Sequence, residues 1–132
     1  MKKSFSYSPG PFRRMLRDTK KLAVANAVYI TDTDKEGKKI KATEFKKRVR
    51  EIEDLFLRLF GGFTNDEINY GKFLSKTKNK VMTEKVAKII SFADVKSFVK
   101  HRKELERVLY QKKKEWNQEK IAYEFEGDLY YI

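Results

Sequence analysis

The sequence predicts an α+β fold of the ferredoxin-like (βαββαβ) kind, with two helices on one face of a four-stranded antiparallel sheet. Two observations predict it: apolar runs of strand length alternate with amphipathic helical segments in that order, and glycine or aspartate punctuates the helix ends. The length of 132 residues suits one domain with its own core. Residues 1–21 are expected to form a basic N-terminal arm, and residues 22–132 the folded domain.

The first strand and the first helix are defined by their apolar patterns. Leu22–Ile30 is a short apolar run, which is typical of a buried strand. In Ala42–Phe60, apolar residues recur at steps of three and four, which predicts a helix with one buried face. Thr43 is its expected N-cap. The pair Gly61–Gly62 is expected to end it, because glycine adopts the left-handed conformation common there.

A hairpin is predicted next. Its arms are Phe63–Leu74 and Val81–Phe92, joined by polar residues 75–80. The first arm has few apolar residues and is therefore expected at an edge of the sheet. The second arm contains Val86, Ala87, Ile89, Ile90 and Phe92, which can face both sides of a central strand.

The last predicted elements are a helix and a strand. Asp94 is the expected N-cap of a helix that runs to about Trp116. Alternation of apolar and polar residues in Ile121–Phe125 predicts a half-buried strand. After a turn at Gly127 and Asp128, Leu129–Ile132 could form a short returning strand.

The sheet face without helices also carries apolar residues, because both central strands are apolar on two sides. Such a face is expected to be covered. Three coverings remain open: a second copy of the chain in a homodimer, the N-terminal arm with the C-terminal tail, or stacked nucleic-acid bases.

The charge balance is the strongest compositional signal. Lysine and arginine total 31 against 19 acidic residues, a formal net charge of +12. Such a charge favours a polyanion such as nucleic acid, or an acidic protein partner. The absence of cysteine excludes disulfides and thiolate metal sites. No apolar stretch is long enough to cross a bilayer, so we expect no membrane contact. A lysine-rich chain without disulfides suits a cytoplasmic location.

The basic residues fall into separate segments, and their expected role is to contact phosphates. The alternative is a set of solvated faces. The predicted nucleic-acid-binding residues are Arg13, Arg14, Arg17, Lys38, Lys39, Lys46, Lys47, Lys76, Lys78 and Lys80.

Asp32 and Asp34 follow the first strand directly, where two carboxylates could hold Mg²⁺ against a phosphodiester. In this position they resemble the Cas2 family of nucleases, which implies a metal-binding aspartate at the end of the first strand. An ordinary polar turn is the alternative. His101 is the only histidine and is expected to face solvent, so one chain offers no hydrolytic triad. No cofactor is expected, apart from Mg²⁺ under the nuclease hypothesis.

Two segments, 59–64 (LFGGFT) and 117–124 (NQEKIAYE), resemble small uncharacterised prokaryotic and phage proteins in which a helix ends at LFGGFT and the last strand follows a QE pair. That resemblance implies the ferredoxin-like layout and a phage, viral or mobile-element context, and it brings no activity with it. The favoured interpretation is a non-enzymatic, basic nucleic-acid-binding protein. A metal-dependent nuclease and a protein-interaction module or inhibitor for an acidic partner are the alternatives.

Overall fold

The structure, a computed structural model, describes residues 23–75 and 79–132. The predicted basic arm, residues 1–21, lies outside this range. The described residues form an α+β fold with two helices and one antiparallel sheet, as expected. The elements in chain order are β1 (Val24–Thr31), α1 (Ala42–Phe60), β2 (Thr64–Ser75), β3 (Lys80–Ala93), α2 (Val95–Glu115), β4 (Ala122–Phe125) and β5 (Asp128–Tyr131).

The strand order in the sheet is β2-β3-β1-β4-β5, so β1 is central and β2 lies at an edge. In β1, Val28 lies opposite Ile89 of β3 on one side and opposite Tyr123 of β4 on the other. Every described strand pair is antiparallel, including the predicted hairpin of β2 and β3.

The expectation of four strands is wrong, because β5 adds a fifth at the edge beside β4. The two strands are joined by Glu126 and Gly127, both of which have positive φ, at 51° and 88°. Positive φ at both central residues is the geometry of the tight turn that best matches the twist of paired strands. Glycine supplies one of these positions without steric cost.

Both helices pack on one face of the sheet. Their apolar stripes meet alternate residues of β1 and β3, including Val28 and Ile89, because successive strand residues point to opposite faces. The buried core residues of the helices are Phe45, Ile52, Leu55, Phe56, Leu59, Leu105 and Leu109.

Two of the three helix caps predicted from the sequence are present in the structure. Asp94 caps α2, because its side chain accepts a hydrogen bond from the backbone N–H of Lys96 at 3.0 Å. Gly61 ends α1 in the left-handed conformation, with φ at 84°, and its N–H donates to the carbonyl of Leu57. Thr43 is not the N-cap of α1. That position is Lys41, which makes no side-chain capping bond and whose carbonyl accepts a hydrogen bond from the N–H of Phe45 at 2.9 Å.

The other face of the sheet is partly covered by its own side chains. Ala27 is buried there although no helix lies above it, whereas Phe92 is 63 % exposed. Over the described residues, no helix has the length and apolar character that a membrane span requires.

Candidate functional site

A cavity of about 900 Å³ lies around the end of β1 and opens towards solvent. Its walls come from β1, the loop between β1 and α1, the first half of α1, β3, the chain after α2, and the β4–β5 hairpin. This volume falls within the range of about 300–1,000 Å³ that is usual for small-molecule sites. The side chains that define its chemistry are Tyr29, Thr33, Asp34, Lys35, Glu36, Arg48, Glu84, Trp116, Gln118, Glu119, Lys120 and Tyr131.

The loop after β1 is built by its two aspartates. The buried carboxylate of Asp32 accepts a hydrogen bond from the backbone N–H of Lys85 at 2.9 Å and pairs with Nζ of Lys39 at 3.3 Å. Asp34 accepts hydrogen bonds from two backbone N–H groups further along the loop, each at 2.9 Å. Both carboxylates therefore shape the loop that forms one wall of the cavity.

Both aspartates have partners within the protein, and the hypothesis that Asp32 and Asp34 hold a catalytic metal stays a prediction. Within residues 23–75 and 79–132, no cluster of three or more histidine or acidic side chains could hold a metal ion. Asp32 faces the backbone of β3 rather than an open site. Their hydrogen bonds to backbone N–H groups are of the kind that an ordinary polar turn makes, which is the alternative interpretation.

Arg48 forms part of the inner wall. Its side chain is buried, with Nε donating to Oε2 of Glu44 at 2.8 Å. The guanidinium carbon lies 5.4 Å from the centre of the Trp116 ring, which is a cation–π distance. The atom Nη1 is buried and has no hydrogen-bond partner among the described residues.

The chain after α2 is tied to the loop after β1, which fixes the position of Trp116. Nε1 of Trp116 donates to Oε1 of Glu51 at 3.3 Å. Nε2 of Gln118 donates to the carbonyl of Thr33 at 2.7 Å, and the carbonyl of Asn117 accepts from the N–H of Lys35 at 3.3 Å. The cavity therefore has a preformed wall between two segments that are far apart in the sequence.

On the sheet side, three charged or polar groups meet beneath the cavity. The hydroxyl of Tyr29 donates to Oε1 of Glu124 at 2.6 Å, and Nζ of Lys88 lies 3.3 Å from the same oxygen. The hydrogen bond from Tyr29 is the largest cause that lowers the pKa of Glu124, with Lys88 adding to it. Burial, together with the hydrogen bond to Glu124, raises the pKa of Tyr29. Glu124 is thus kept as a carboxylate.

The outer wall is aromatic. Tyr131 of β5 is 61 % exposed, and Nζ of Lys120 lies 4.2 Å from its ring centre. Three aromatic rings, those of Tyr29, Trp116 and Tyr131, line the cavity together with four carboxylates and three cations. Such a lining suits a ligand that carries an aromatic ring and charges of both signs.

Of the predicted basic residues, those that the structure describes do not line the cavity. Arg13, Arg14, Arg17, Lys76 and Lys78 lie outside the described residues. Lys38 and Lys39 belong to the loop after β1, where Lys39 is paired with Asp32 and Lys38 lies 3.9 Å from Glu36. Lys46 and Lys47 are exposed on α1, and Lys80 is exposed at the start of β3.

The sequence pattern does not indicate that Arg48 and Trp116 meet in one site, and it predicts that His101 faces solvent. Arg48 could have been noticed, because it lies three residues after Phe45 and four before Ile52, on the apolar stripe of α1. An arginine at such a position is buried only where something accepts its charge. His101 is half-buried, with its ring 6.5 Å from that of Phe60.

No family model and no curated protein matches the chain. Two solved structures are similar to it in fold. One is a phage SAM lyase in complex with S-methyl-5′-thioadenosine, with a TM-score of 0.57 and 13 % identity over 86 % of this chain and 94 % of that one. The other is a phage SAM lyase in the apo state, with a TM-score of 0.56 and 14 % identity over 86 % of this chain and 91 % of that one.

This similarity corrects the functional interpretation drawn from charge. The two proteins that share this fold are lyases of S-adenosylmethionine, and this finding contradicts the interpretation as a nucleic-acid-binding protein. The net charge of +12 comes from counting residues, and such a count does not show whether the basic side chains lie on one common surface. The chain is similar in fold to phage SAM lyases.

Proposed function

We propose that this chain binds S-adenosylmethionine in the cavity at the end of β1 and cleaves it to release S-methyl-5′-thioadenosine. The observation that carries the proposal is the combination of a lyase-like fold with a cavity of suitable size and lining. A fold alone hosts many activities, so the chemistry of the lining has to support the substrate.

S-adenosylmethionine has three parts, and the cavity offers a partner for each. Its adenine can stack on an aromatic ring such as that of Tyr131. Its sulfonium is a cation, which aromatic faces attract. Its amino-acid end carries an ammonium and a carboxylate, for which acidic and basic side chains are both present. The four carboxylates and three cations of the lining complement a substrate whose net charge is positive.

The proposed reaction breaks the bond between the sulfonium sulfur and the methionine-derived carbon chain. The electron pair of that bond goes to sulfur, which becomes the neutral thioether of S-methyl-5′-thioadenosine. As that bond breaks, the four-carbon fragment either gives a proton from the neighbouring carbon to a carboxylate of the lining, which leaves a carbon–carbon double bond, or forms a bond from its own carboxylate oxygen to the carbon that sulfur leaves, which closes a lactone ring.

The same proposal extends to the layout and to the origin of the chain. The first four strands follow the order β2-β3-β1-β4 with helices after β1 and β3, which supports a ferredoxin-like arrangement to which β5 is added. The similarity to phage enzymes supports a phage origin.

The test is a product assay on the purified chain. S-adenosylmethionine is incubated with the protein, and S-methyl-5′-thioadenosine is quantified by liquid chromatography against a no-protein control, since the substrate also decays spontaneously. S-adenosylhomocysteine serves as a second control: it has no sulfonium, so its carbon–sulfur bond should stay intact. Formation of the thioadenosine no faster than in the no-protein control, together with no binding of substrate or product, would overturn the proposal.

A further inference from the structure

We propose that Arg48 is a carboxylate-binding residue at the inner wall of the cavity, and that it holds the carboxylate at the amino-acid end of the substrate. This inference rests on the proposed function for the identity of the ligand. It is carried by a separate observation: a buried guanidinium whose Nη1 atom has no partner among the described residues, in a side chain that lines the cavity.

The buried position of Arg48 lowers the stability of the fold unless its remaining N–H groups also find acceptors. Arg48 is 7 % exposed and lies on the apolar stripe of α1, beside core residues. A guanidinium has five N–H donors, and a buried donor without an acceptor destabilises the folded state. Glu44 accepts from Nε only. A ligand carboxylate would supply the acceptor that Nη1 lacks, in the planar geometry that arginine and carboxylate share.

The guanidinium is held in place before any ligand arrives. The Trp116 ring lies against one side of it, and the ring is fixed by its hydrogen bond to Glu51. Glu51 is in turn paired with Nζ of Lys112 at 3.4 Å, so the negative charge of Glu51 is neutralised by Lys112 rather than by Arg48. An anchor that is already ordered loses less entropy on binding than a free side chain does.

The charges around the cavity favour a carboxylate over a phosphate. Asp34, Glu36, Glu84 and Glu119 also line it, and they would repel a dianion. The carboxylate of S-adenosylmethionine is repelled less, because the ammonium and the sulfonium of the same ligand compensate its negative charge. The lining thus matches the amino-acid end of the substrate rather than a nucleotide phosphate.

The experiment compares four ligands by isothermal titration calorimetry. S-adenosylmethionine and S-adenosylhomocysteine contain the carboxylate, whereas decarboxylated S-adenosylmethionine and S-methyl-5′-thioadenosine lack it. In Arg48→Gln and Arg48→Lys we expect affinity for the first two to fall at least tenfold, with the last two changed less than twofold. Arg50→Gln, two positions along α1 and exposed, is the matched control and should leave all four affinities unchanged.

The wild-type chain gives a second measurement that does not depend on folding of the variants. It should bind S-adenosylmethionine at least tenfold more tightly than the decarboxylated compound. No such preference, or an equal effect of the Arg48 variants on all four ligands, would overturn the carboxylate site while the proposed function stands. If the wild-type chain binds none of the four, the proposed function fails and the site fails with it.

Discussion

The hydroxyl of Tyr29 lies 2.6 Å from Oε1 of Glu124, and this hydrogen bond joins β1 to β4 on the sheet face away from the helices. Nζ of Lys88 approaches the same oxygen at 3.3 Å and lies 5.4 Å from the centre of the Tyr29 ring. One carboxylate therefore connects three neighbouring strands. Because it accepts from both groups, its ionisation contributes to the stability of the sheet beneath the cavity.

Replacing Tyr29 by phenylalanine should raise the pKa of Glu124, since the hydrogen bond from Tyr29 is the largest cause of its lowered value. A carboxyl whose pKa is lower in the folded than in the unfolded state stabilises the fold above the unfolded pKa. That contribution is lost as the pH falls through the folded pKa. We expect Tyr29→Phe to lower the free energy of unfolding at pH 7 by about 0.5–1.5 kcal/mol. The difference from wild type should shrink at pH 3.

Urea denaturation at both pH values measures the stability, and carbon NMR of the glutamate carboxyls measures the pKa. Tyr70→Phe is the control, because Tyr70 is an exposed tyrosine of β2. An unchanged Glu124 titration in Tyr29→Phe would contradict the assignment.

Asp32 should matter for stability through its backbone acceptor. In Asp32→Ala the N–H of Lys85 loses the carboxylate that accepts from it. Leaving a buried polar group unpaired costs about 1–3 kcal/mol. The free energy of unfolding from chemical denaturation should fall by that amount. Asp54→Ala, an exposed site on α1, should stay within about 0.5 kcal/mol of wild type. Equal effects of the two substitutions would show that the Asp32 contacts carry no stability.

The elements of the fold were accessible from the sequence because their signals are local. The stripe from Phe45 to Leu59 repeats every three to four residues, and Asp94 caps the very helix that it precedes. The sequence does not settle the fifth strand, because the pattern of a four-residue segment is too short to distinguish a strand from a loop. Its pairing depends on the turn at Glu126 and Gly127, where both residues adopt positive φ.

The site was not accessible, because its contacts join residues that are far apart in the chain. The acceptor of Trp116 is Glu51, 65 positions away, and the partner of Asp32 is Lys85, 53 positions away. An aspartate after a strand has the same local pattern whether it binds a metal or a backbone N–H. Likewise, a net charge of +12 does not show that Lys39 is already paired with Asp32.

The two adjacent glycines after α1 should respond differently to substitution. Gly61 has φ at 84°, a conformation that a Cβ disfavours, whereas Gly62 does not have positive φ and has open space where a Cβ would lie. Gly61→Ala should lower the free energy of unfolding by about 1 kcal/mol. Gly62→Ala should change it by less than about 0.5 kcal/mol. Thermal and urea denaturation of both variants measure this, and a larger loss in Gly62→Ala would contradict the cap assignment.

Tyr131 should contribute to binding of the adenine ring under the proposed function. Its ring is exposed at the mouth of the cavity, whereas its neighbour Tyr130, 51 % exposed, does not line the cavity. Stacking of a base on an aromatic ring is worth about 1–3 kcal/mol, and about 1.4 kcal/mol corresponds to a tenfold change in affinity. We therefore expect Tyr131→Ala to weaken binding of S-methyl-5′-thioadenosine by about tenfold in calorimetry, and Tyr130→Ala to leave it unchanged. Because this ligand lacks the amino-acid end, the measurement reports on adenine binding separately from Arg48. Equal affinities of wild type and Tyr131→Ala would place the adenine elsewhere in the cavity.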